Sequence, residues 1–353
     1  MYLLVARDKG SEWRALGELA AAGTLPSLVL IEAVCEPLVG QNGKPGSAPD
    51  SIVMAIAVRS ASLGRGAQVA VDVDNLLRQL SPSDAALLVP LLGYFFGMVV
   101  CIPRPAVRTT SPEPILSAAV ELAHRTGSGL TLRVDGVHRF GADAQRANDI
   151  VRECGLAADR IDLVVDAKDL PSVVSIVEMH DSLTAAPFCR SWTVLAGTFP
   201  RSITHLSPET LLHRLERREW ISYRDQLEED GARIRLPWFG DYAAQGAVYE
   251  PAPPFRPSPS VRYTTADGFL VLRGKRDDPQ GHSQHIGHAR VLQSLPEFGD
   301  IASGWTEEYV RRIAAGSNGT GNGTTWRVAS IRRHVSVATS QSASLRIALG
   351  AGL

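Results

Sequence analysis

The sequence predicts an α/β fold, namely a (β/α)8 barrel of the TIM type with a long insert before the last strand and a C-terminal extension. Short apolar, β-branched runs recur along about the first 270 residues, and helical patterns separate them at about 30 residues per unit. No Gly-x-Gly-x-x-Gly motif follows the first run, which disfavours an open dinucleotide-binding sheet. A closed barrel accommodates eight such units.

The predicted strands are continuously apolar rather than alternating, as expected of strands that are covered on both faces. They are Tyr2–Arg7, Ser27–Ala33, Gln68–Asp72, Met98–Pro103, Leu130–Asp135, Ile161–Asp166, Trp192–Gly197 and, as the eighth, Val261–Arg273.

Helices are predicted between these strands from apolar stripes at helical spacing and from capping residues. They cover Ser11–Ala22, a segment that begins at Ser81–Asp84, Ser111–Arg125, Ala142–Cys154 and Leu170–His180. In the long insert we expect one charged helix over Pro208–Arg218. The prolines of Pro251–Pro259 exclude a central strand or helix there.

We expect a single domain over residues 1–353, with the barrel core over about 1–275 and the C-terminal extension over about 276–353. In the extension, a helix over Glu307–Ala315 and a Gly/Asn/Thr-rich turn over Ser317–Thr325 precede a last helix that reaches Ser344.

Composition excludes several classes of protein. The 36 Lys and Arg residues nearly balance 37 Asp and Glu residues, which argues against a dedicated nucleic-acid binder. No apolar run reaches the roughly 20 residues that cross a bilayer, and the first residues lack the features of a signal peptide. The cysteines Cys35, Cys101, Cys154 and Cys189 lie far apart and are predicted to be reduced thiols. We therefore expect a cytoplasmic protein that binds neither membrane nor nucleic acid.

Polar residues stand where the predicted barrel strands end, which is where barrel enzymes carry their sites. The catalytic candidates are Glu32, Asp72, Asp135, Asp166 and Lys168. Carboxylates that converge on one mouth can hold a divalent cation or act as acids and bases. The alternative is a structural polar layer, in which the carboxylates cap helices or pair with basic residues such as Arg133.

Two further motifs are ambiguous. The spacing of His282, His285 and His288 permits metal binding, but no carboxylate or cysteine completes a known pattern, so we predict an exposed polar helix start and no metal. The segment from Gly321 to Arg327 combines backbone freedom with hydrogen-bond donors and suits an anion. Alternatively, Arg327 pairs with a carboxylate and Trp326 fills the barrel end. No standard nucleophile, phosphate-loop or zinc signature is present, and no cofactor is indicated.

Several motifs occur in an order that resembles the bacteriophage beta-protein family. They are Leu30-Ile31-Glu32, Pro237-x-Phe239-Gly240-Asp241-Tyr242, Arg262-Tyr263-Thr264, Leu272-Arg273-Gly274 and Gly321-Asn322-x-Thr324-Thr325-Trp326-Arg327, followed by His334. Arg333 stands where the family usually has an asparagine before that histidine.

The resemblance implies a phage-defence or toxin-neutralising setting and a protein partner encoded nearby, either a toxic effector or a defence component. It also implies a set of residues that bind a ligand or this partner. These are Asp241, Tyr242, Arg262, Tyr263, Arg273, Asn322, Thr325, Trp326, Arg327 and His334.

We therefore expect a protein that acts by binding a partner effector. The alternative is a barrel enzyme or ligand sensor that uses the mouth carboxylates, arginines and His334 on a phosphorylated or nucleotide-like ligand. The sequence leaves open whether the protein is catalytic and which oligomer it forms.

Overall fold

The computed structural model describes most of the chain, with gaps in several connections. The described residues are 1–33, 49–64, 67–72, 103–136, 140–168, 175–249, 258–301, 303–317 and 319–350. Cys35, Cys101, the helix start at Ser81–Asp84 and most of the segments Met98–Pro103 and Pro251–Pro259 lie outside these ranges.

Eight parallel strands form a closed barrel, which confirms the predicted (β/α)8 fold. In order around the barrel they are β1 (Tyr2–Arg7), β2 (Leu28–Glu32), β3 (Val69–Asp72), β4 (Arg104–Arg108), β5 (Leu130–Asp135), β6 (Ile161–Asp166), β7 (Ser191–Leu195) and β9 (Trp238–Asp241). The ring closes because β1 pairs with β2 on one side and with β9 on the other.

Helices surround this barrel and bury their apolar faces against the outer faces of the strands. In the described ranges they are α1 (Gly10–Ala21), α2 (Pro49–Ser62), α3 (Glu113–Thr126), α4 (Phe140–Glu153), α5 (Ile176–Ser182) and α6 (Arg218–Asp230). None of the helices in the described part of the chain is long and apolar enough to span a membrane.

The predicted eighth strand, Val261–Arg273, is wrong. It folds as an antiparallel hairpin of β10 (Ser260–Thr264) and β11 (Gly268–Arg273), because the turn between them brings the two halves together. The hairpin forms a separate sheet with β8 (Leu212–Glu216), which lies within the segment predicted as a helix over Pro208–Arg218. The barrel takes β9 as its eighth strand instead. The fourth barrel strand is likewise displaced, to Arg104–Arg108.

Three helices follow the hairpin: α7 (Gln284–Gln293), α8 (Trp305–Ala314) and α9 (Gly323–Ala348). The last of these, α9, packs against β1 and α1, and its residues Val328, Ile331 and Val335 belong to the main core of the barrel. It therefore occupies the position of the eighth barrel helix. The residues between β9 and α9 form an insertion with its own apolar core. The division at about residue 275 stays a prediction.

Candidate functional site at the barrel mouth

The inside of the barrel is apolar at mid-height and polar at the C-terminal ends of the strands. Leucine, valine and alanine side chains fill the apolar part, and a Cβ atom added to Gly240 would lie 3.0 Å from the Thr193 side chain, so this layer is closely packed. Above it, the register places Arg7, Glu32 and Asp72 side by side on three adjacent strands. The fold thus brings charged groups together at the mouth of the barrel.

Arg133 is the centre of this charged layer. It lies on β5 and is 1% exposed. One guanidinium nitrogen, Nη1, lies 3.1 Å from Glu32 Oε1 and also donates to Asp72, while Nη2 lies 2.5 Å from Asp166 Oδ2. Because these carboxylates come from β2, β3 and β6, one side chain connects the strands across the barrel.

Each of the three carboxylates has a further cationic neighbour. Arg7 Nε lies 3.7 Å from Glu32 Oε2, and Arg108 Nη2 lies 3.1 Å from Asp72 Oδ2. Lys168 Nζ donates to Asp166. We call the set Arg7, Glu32, Asp72, Arg108, Arg133, Asp166, Lys168 and Tyr242 the mouth network.

Ionisation in the mouth network is fixed by these contacts. Burial alone would raise the pKa of Asp166, but Lys168, Arg133 and Arg108 outweigh it and hold that pKa well below its usual range. Burial and the neighbouring carboxylate raise the pKa of Tyr242, whose hydroxyl donates to Asp166 Oδ1 at 2.6 Å. At neutral pH the carboxyl is therefore ionised and the phenol is neutral, so neither is poised for proton transfer.

Lys168 adopts an uncommon backbone conformation, with φ of 55° in the left-handed region. Its amide donates to Asp166 Oδ1 at 3.1 Å, and its carbonyl accepts from the Gly197 amide at 2.8 Å. These bonds hold the lysine at the mouth, where its side chain is 23% exposed. Asp135, the remaining catalytic candidate, ends β5 opposite Asp166 in the register.

Asp241 and His334 form a second buried group, outside the barrel wall. Asp241 Oδ2 lies 2.7 Å from His334 Nε2, and His334 Nδ1 lies 3.0 Å from Thr264 Oγ1. The Tyr2 hydroxyl donates to Asp241 Oδ1 at 2.7 Å. Burial would raise the pKa of Asp241, but His334, Arg217 and Tyr2 together hold it below its usual value. These residues are at most 1% exposed, so the group joins α9 to the barrel and to β10.

A cleft of about 650 Å³ opens beside the mouth, between the start of α1, the start of α9 and the hairpin. Arg327, Arg262 and Asn322 from the family motifs line it. Arg327 pairs with Glu12 at 3.2 Å and also donates to Gln245, which accepts from Arg7 at 3.2 Å. A hydrogen-bonded chain thus connects the cleft to the mouth network.

The other family-motif residues build structure around this cleft. Asn322 caps α9, with its Oδ1 accepting from the Thr325 amide at 3.0 Å, and Thr325 Oγ1 accepts in return from the Asn322 amide at 2.8 Å. Trp326 donates to a backbone carbonyl and packs in the core of the insertion. Tyr263 donates to Glu307 at 2.9 Å within the insertion, and Arg273 donates to the Thr204 carbonyl at 3.0 Å, which joins the insertion to the segment between β7 and β9.

The histidines of α7 differ from the prediction. His282 is exposed, as expected of a polar helix start, but His285 and His288 are 0% and 2% exposed, so the expectation is wrong for these two. They are buried because α7 packs on the core of the insertion, with the His285 ring 5.3 Å from the Trp326 ring. Among the described residues, no group of three or more His, Cys, Asp or Glu side chains has the geometry for a metal ion.

Several members of the mouth network and of the cleft were not among the predicted site residues, notably Arg7, Arg108 and His285, and neither was Gln245, which connects the two. Arg7 could have been found, since it ends β1 just as Glu32 ends β2. Arg108 was missed because the fourth strand was placed too early in the sequence.

Comparison with known proteins identifies the family but no activity. The sequence pattern of the beta protein family matches residues 9–339, and the chain belongs to that family. No protein with a curated description matches the sequence.

Solved structures resemble the chain distantly. One is PbGH5A, a glycoside hydrolase family 5 enzyme from Prevotella bryantii B14, with 11% identity, a TM-score of 0.37, and coverage of 67% of this chain and 80% of that one. Another is 3-hexulose-6-phosphate synthase, with 16% identity, a TM-score of 0.35, and coverage of 68% and 89%. A third is D-psicose 3-epimerase, with 11% identity, a TM-score of 0.34, and coverage of 70% and 86%. These likenesses carry no argument about function.

Proposed function

We propose that this member of the beta protein family is a ligand sensor whose barrel mouth binds an anionic, phosphorylated compound. The observation that carries the proposal is the layering of charge in the mouth network. The side chains of Glu32, Asp72 and Asp166 are 1–4% exposed, whereas those of Arg108 and Lys168 are 16% and 23% exposed. A ligand that approaches the mouth therefore meets cationic groups first.

The buried carboxylates give this cationic surface a fixed shape. They hold Arg108 and Lys168 by ion pairs, so little side-chain entropy remains to be lost when an anion binds. The left-handed backbone at Lys168 costs about 1 kcal/mol or more, and such strain is concentrated at functional sites. Preorganised ammonium and guanidinium groups suit phosphate oxygens.

The state of the mouth network favours binding over catalysis. The ionised Asp166 is engaged by Lys168, Arg133 and Tyr242, so it serves as an anchor for cations rather than as a general base. The same engagement opposes a divalent metal at these carboxylates, because a metal would have to displace arginines that already bind them.

Isothermal titration with AMP tests the proposal, with adenosine as the ligand that lacks the phosphate. We expect AMP and not adenosine to bind, and Lys168→Gln to weaken AMP binding about tenfold, since a bond to a charged group contributes about 1.5–3 kcal/mol. Lys275→Gln, whose side chain is 52% exposed and pairs with Glu209, is the matched control. If AMP and inorganic pyrophosphate both fail to bind, or if Lys168→Gln has no effect, the proposal is wrong.

The second candidate function is the neutralisation of a protein partner, a toxic effector or defence component encoded nearby. Family membership supports this setting. The observation that favours a protein partner is the outer face of α2, where Met54 and Val58 lie one turn apart and are 48% and 59% exposed. Exposed apolar side chains on consecutive turns suit the burial that protein association provides.

Co-expression with the neighbouring gene product tests this second function. A stable complex that Met54→Glu and Val58→Glu abolish, and that Lys168→Gln leaves intact, supports a protein partner at α2. A complex that Lys168→Gln also abolishes indicates instead that the mouth controls the association. The absence of any complex contradicts the second function and leaves the AMP experiment to decide the first.

A further inference from the structure

The cleft beside the mouth contains a guanidinium without a countercharge, an imidazole without a hydrogen bond and a helix N-terminus, and these groups come from three different elements. They belong to β10, α7 and the start of α9, and they face a common space of about 650 Å³. Buried polar groups in native proteins are rarely left without hydrogen bonds, so the buried imidazole of His285 in particular calls for an explanation.

Arg262 is the first of these groups. It lies on β10, donates to the Ala244 carbonyl at 2.7 Å and stacks over the Phe199 ring. Among the described residues, no carboxylate lies within ion-pair distance of its guanidinium. Burial and the nearby Arg327 and Arg7 lower the pKa of Arg262 to about 9, which still leaves it charged at neutral pH. An anion in the cleft would supply the missing countercharge.

His285 is the second group. It is 0% exposed and forms part of the cleft wall, yet neither ring nitrogen has a hydrogen-bond partner among the described residues. Burial, together with His288 and His282, lowers its pKa to about 3, so the ring is neutral at pH 7 and carries one N–H donor. Burying these nitrogens without partners costs free energy that a bound acceptor would recover.

The third group is the N-terminus of α9, a helix of 26 residues. Asn322 caps the amide of Thr325, but the amides of Gly323 and Thr324 have no acceptor among the described residues. Both residues line the cleft. Unpaired amides and the positive end of the helix dipole favour an anion at this position.

We infer that the cleft formed by Arg262, His285 and the start of α9 is a binding site for a phosphate group. A phosphate offers acceptor oxygens to the guanidinium, the imidazole N–H and the two amides together. Among the described residues, Glu12 is the one carboxylate that lines the cleft, and it is paired with Arg327 at 3.2 Å and so is already compensated. The site is separate from the mouth network, and the inference does not depend on a ligand there.

The decisive variant is Gly323→Pro, with Gly323→Ala as its control. Gly323 is the first helical residue, where proline is well tolerated, and the preceding Asn322 has the extended backbone, with ψ of 177°, that proline requires. A Cβ atom on Gly323 meets nothing within 4 Å. Proline removes the amide N–H from the cleft, whereas alanine keeps it.

We expect isothermal titration with inorganic phosphate to show binding to the wild type and to Gly323→Ala. Gly323→Pro should bind about tenfold more weakly, since one charge-assisted hydrogen bond is lost. A second variant, His285→Phe, should also weaken phosphate binding while leaving the free energy of unfolding unchanged or raised, because it replaces an unpartnered ring by an apolar one.

The mouth variant Lys168→Gln separates this inference from the proposed function. Phosphate binding that Lys168→Gln leaves unchanged and that Gly323→Pro weakens assigns the phosphate to the cleft. If phosphate fails to bind the wild type, or if Gly323→Pro and His285→Phe bind as tightly as the wild type, the inference is overturned. AMP titrated into Gly323→Pro then shows whether the mouth binds its own ligand regardless.

Discussion

Arg133 is the residue on which the charge balance of the barrel interior depends. Three buried carboxylates lie around its guanidinium, and their attraction outweighs burial and raises its pKa well above the usual value. Replacing a buried ion pair by apolar groups can be neutral, but removing one partner leaves the others buried and uncompensated.

We therefore expect Arg133→Met to lower the free energy of unfolding by about 3–5 kcal/mol, because Glu32, Asp72 and Asp166 lose their shared cation. Urea denaturation followed by circular dichroism measures the change. Arg312→Met is the control, since its side chain is 45% exposed and its ion pair with Glu308 should contribute less than about 0.5 kcal/mol. A loss below about 1 kcal/mol for Arg133→Met would mean that the network is not tightly coupled.

His285 and His288 make stability depend on pH. Burial lowers their pKa values to about 3 and 4. Below pH 6.5 the two histidines therefore bind protons in the unfolded chain but not in the folded protein. Their contribution is complete above pH 6.5 and is lost as the pH falls towards the folded values. We expect the free energy of unfolding to decrease between pH 6.5 and 4.5, by at most about 1.4 kcal/mol per pH unit for each histidine.

Urea denaturation at several pH values measures this slope, and the double variant His285→Phe and His288→Phe should flatten it. The exposed His205, changed to phenylalanine in the same way, serves as the control. An unaltered slope in the double variant would contradict the assignment of the two histidines as neutral buried groups.

At the scale of the element, the start of α9 serves both as a helix cap and as part of the cleft wall, and stability measurements test the first of these roles. Asn322 caps the helix through the Thr325 amide. Asn322→Ala should lower the free energy of unfolding by about 1 kcal/mol, whereas Asn322→Asp keeps a capping oxygen and should preserve stability. Thermal and urea denaturation measure the stabilities of the wild type, Asn322→Ala and Asn322→Asp. Equal stability of all three would show that tertiary packing, rather than the cap, fixes where α9 begins.

The elements that the sequence predicted correctly are those whose pattern is local. The strands β1, β5 and β6 are rich in leucine, valine and isoleucine and end in charged residues, and they match the prediction at the residue level. The strand β9 has four residues and a glycine, so its pattern is too short to be seen, and only pairing with β1 and β7 reveals it. The polar strand β8 is half-exposed at a sheet edge, which explains its resemblance to a charged helix.

Part of the candidate site could also be predicted, because it too follows from local patterns in the sequence. Residues at strand ends, such as Glu32 and Asp166, follow from the barrel rule alone. The partners of these residues do not, because Arg133 reaches carboxylates on three strands and no spacing in the sequence records which of them it contacts. His285 lies in the cleft only because the insertion folds back beside α9, and that packing leaves no local signal.

For the whole molecule, the helix α9 is expected to be indispensable. It adds apolar residues to the main core and supplies His334 to the buried Asp241. A chain that ends at Asn322 should fail to give a cooperative unfolding transition, since it uncovers β1 and α1 and leaves Asp241 without its main partner. A chain that ends at Gly350 should unfold like the full chain. Cooperative unfolding of the shorter chain would show that α9 is peripheral.

The position of α9 in the chain has a consequence for biosynthesis. About 300 residues separate β1 from α9, which covers it, so β1 leaves the ribosome well before this helix. Domains that fold during synthesis generally do so from the N-terminus, whereas β1 can be covered only after the much later α9 has been made. The nascent barrel thus carries an uncovered apolar face on β1 until α9 has been synthesised.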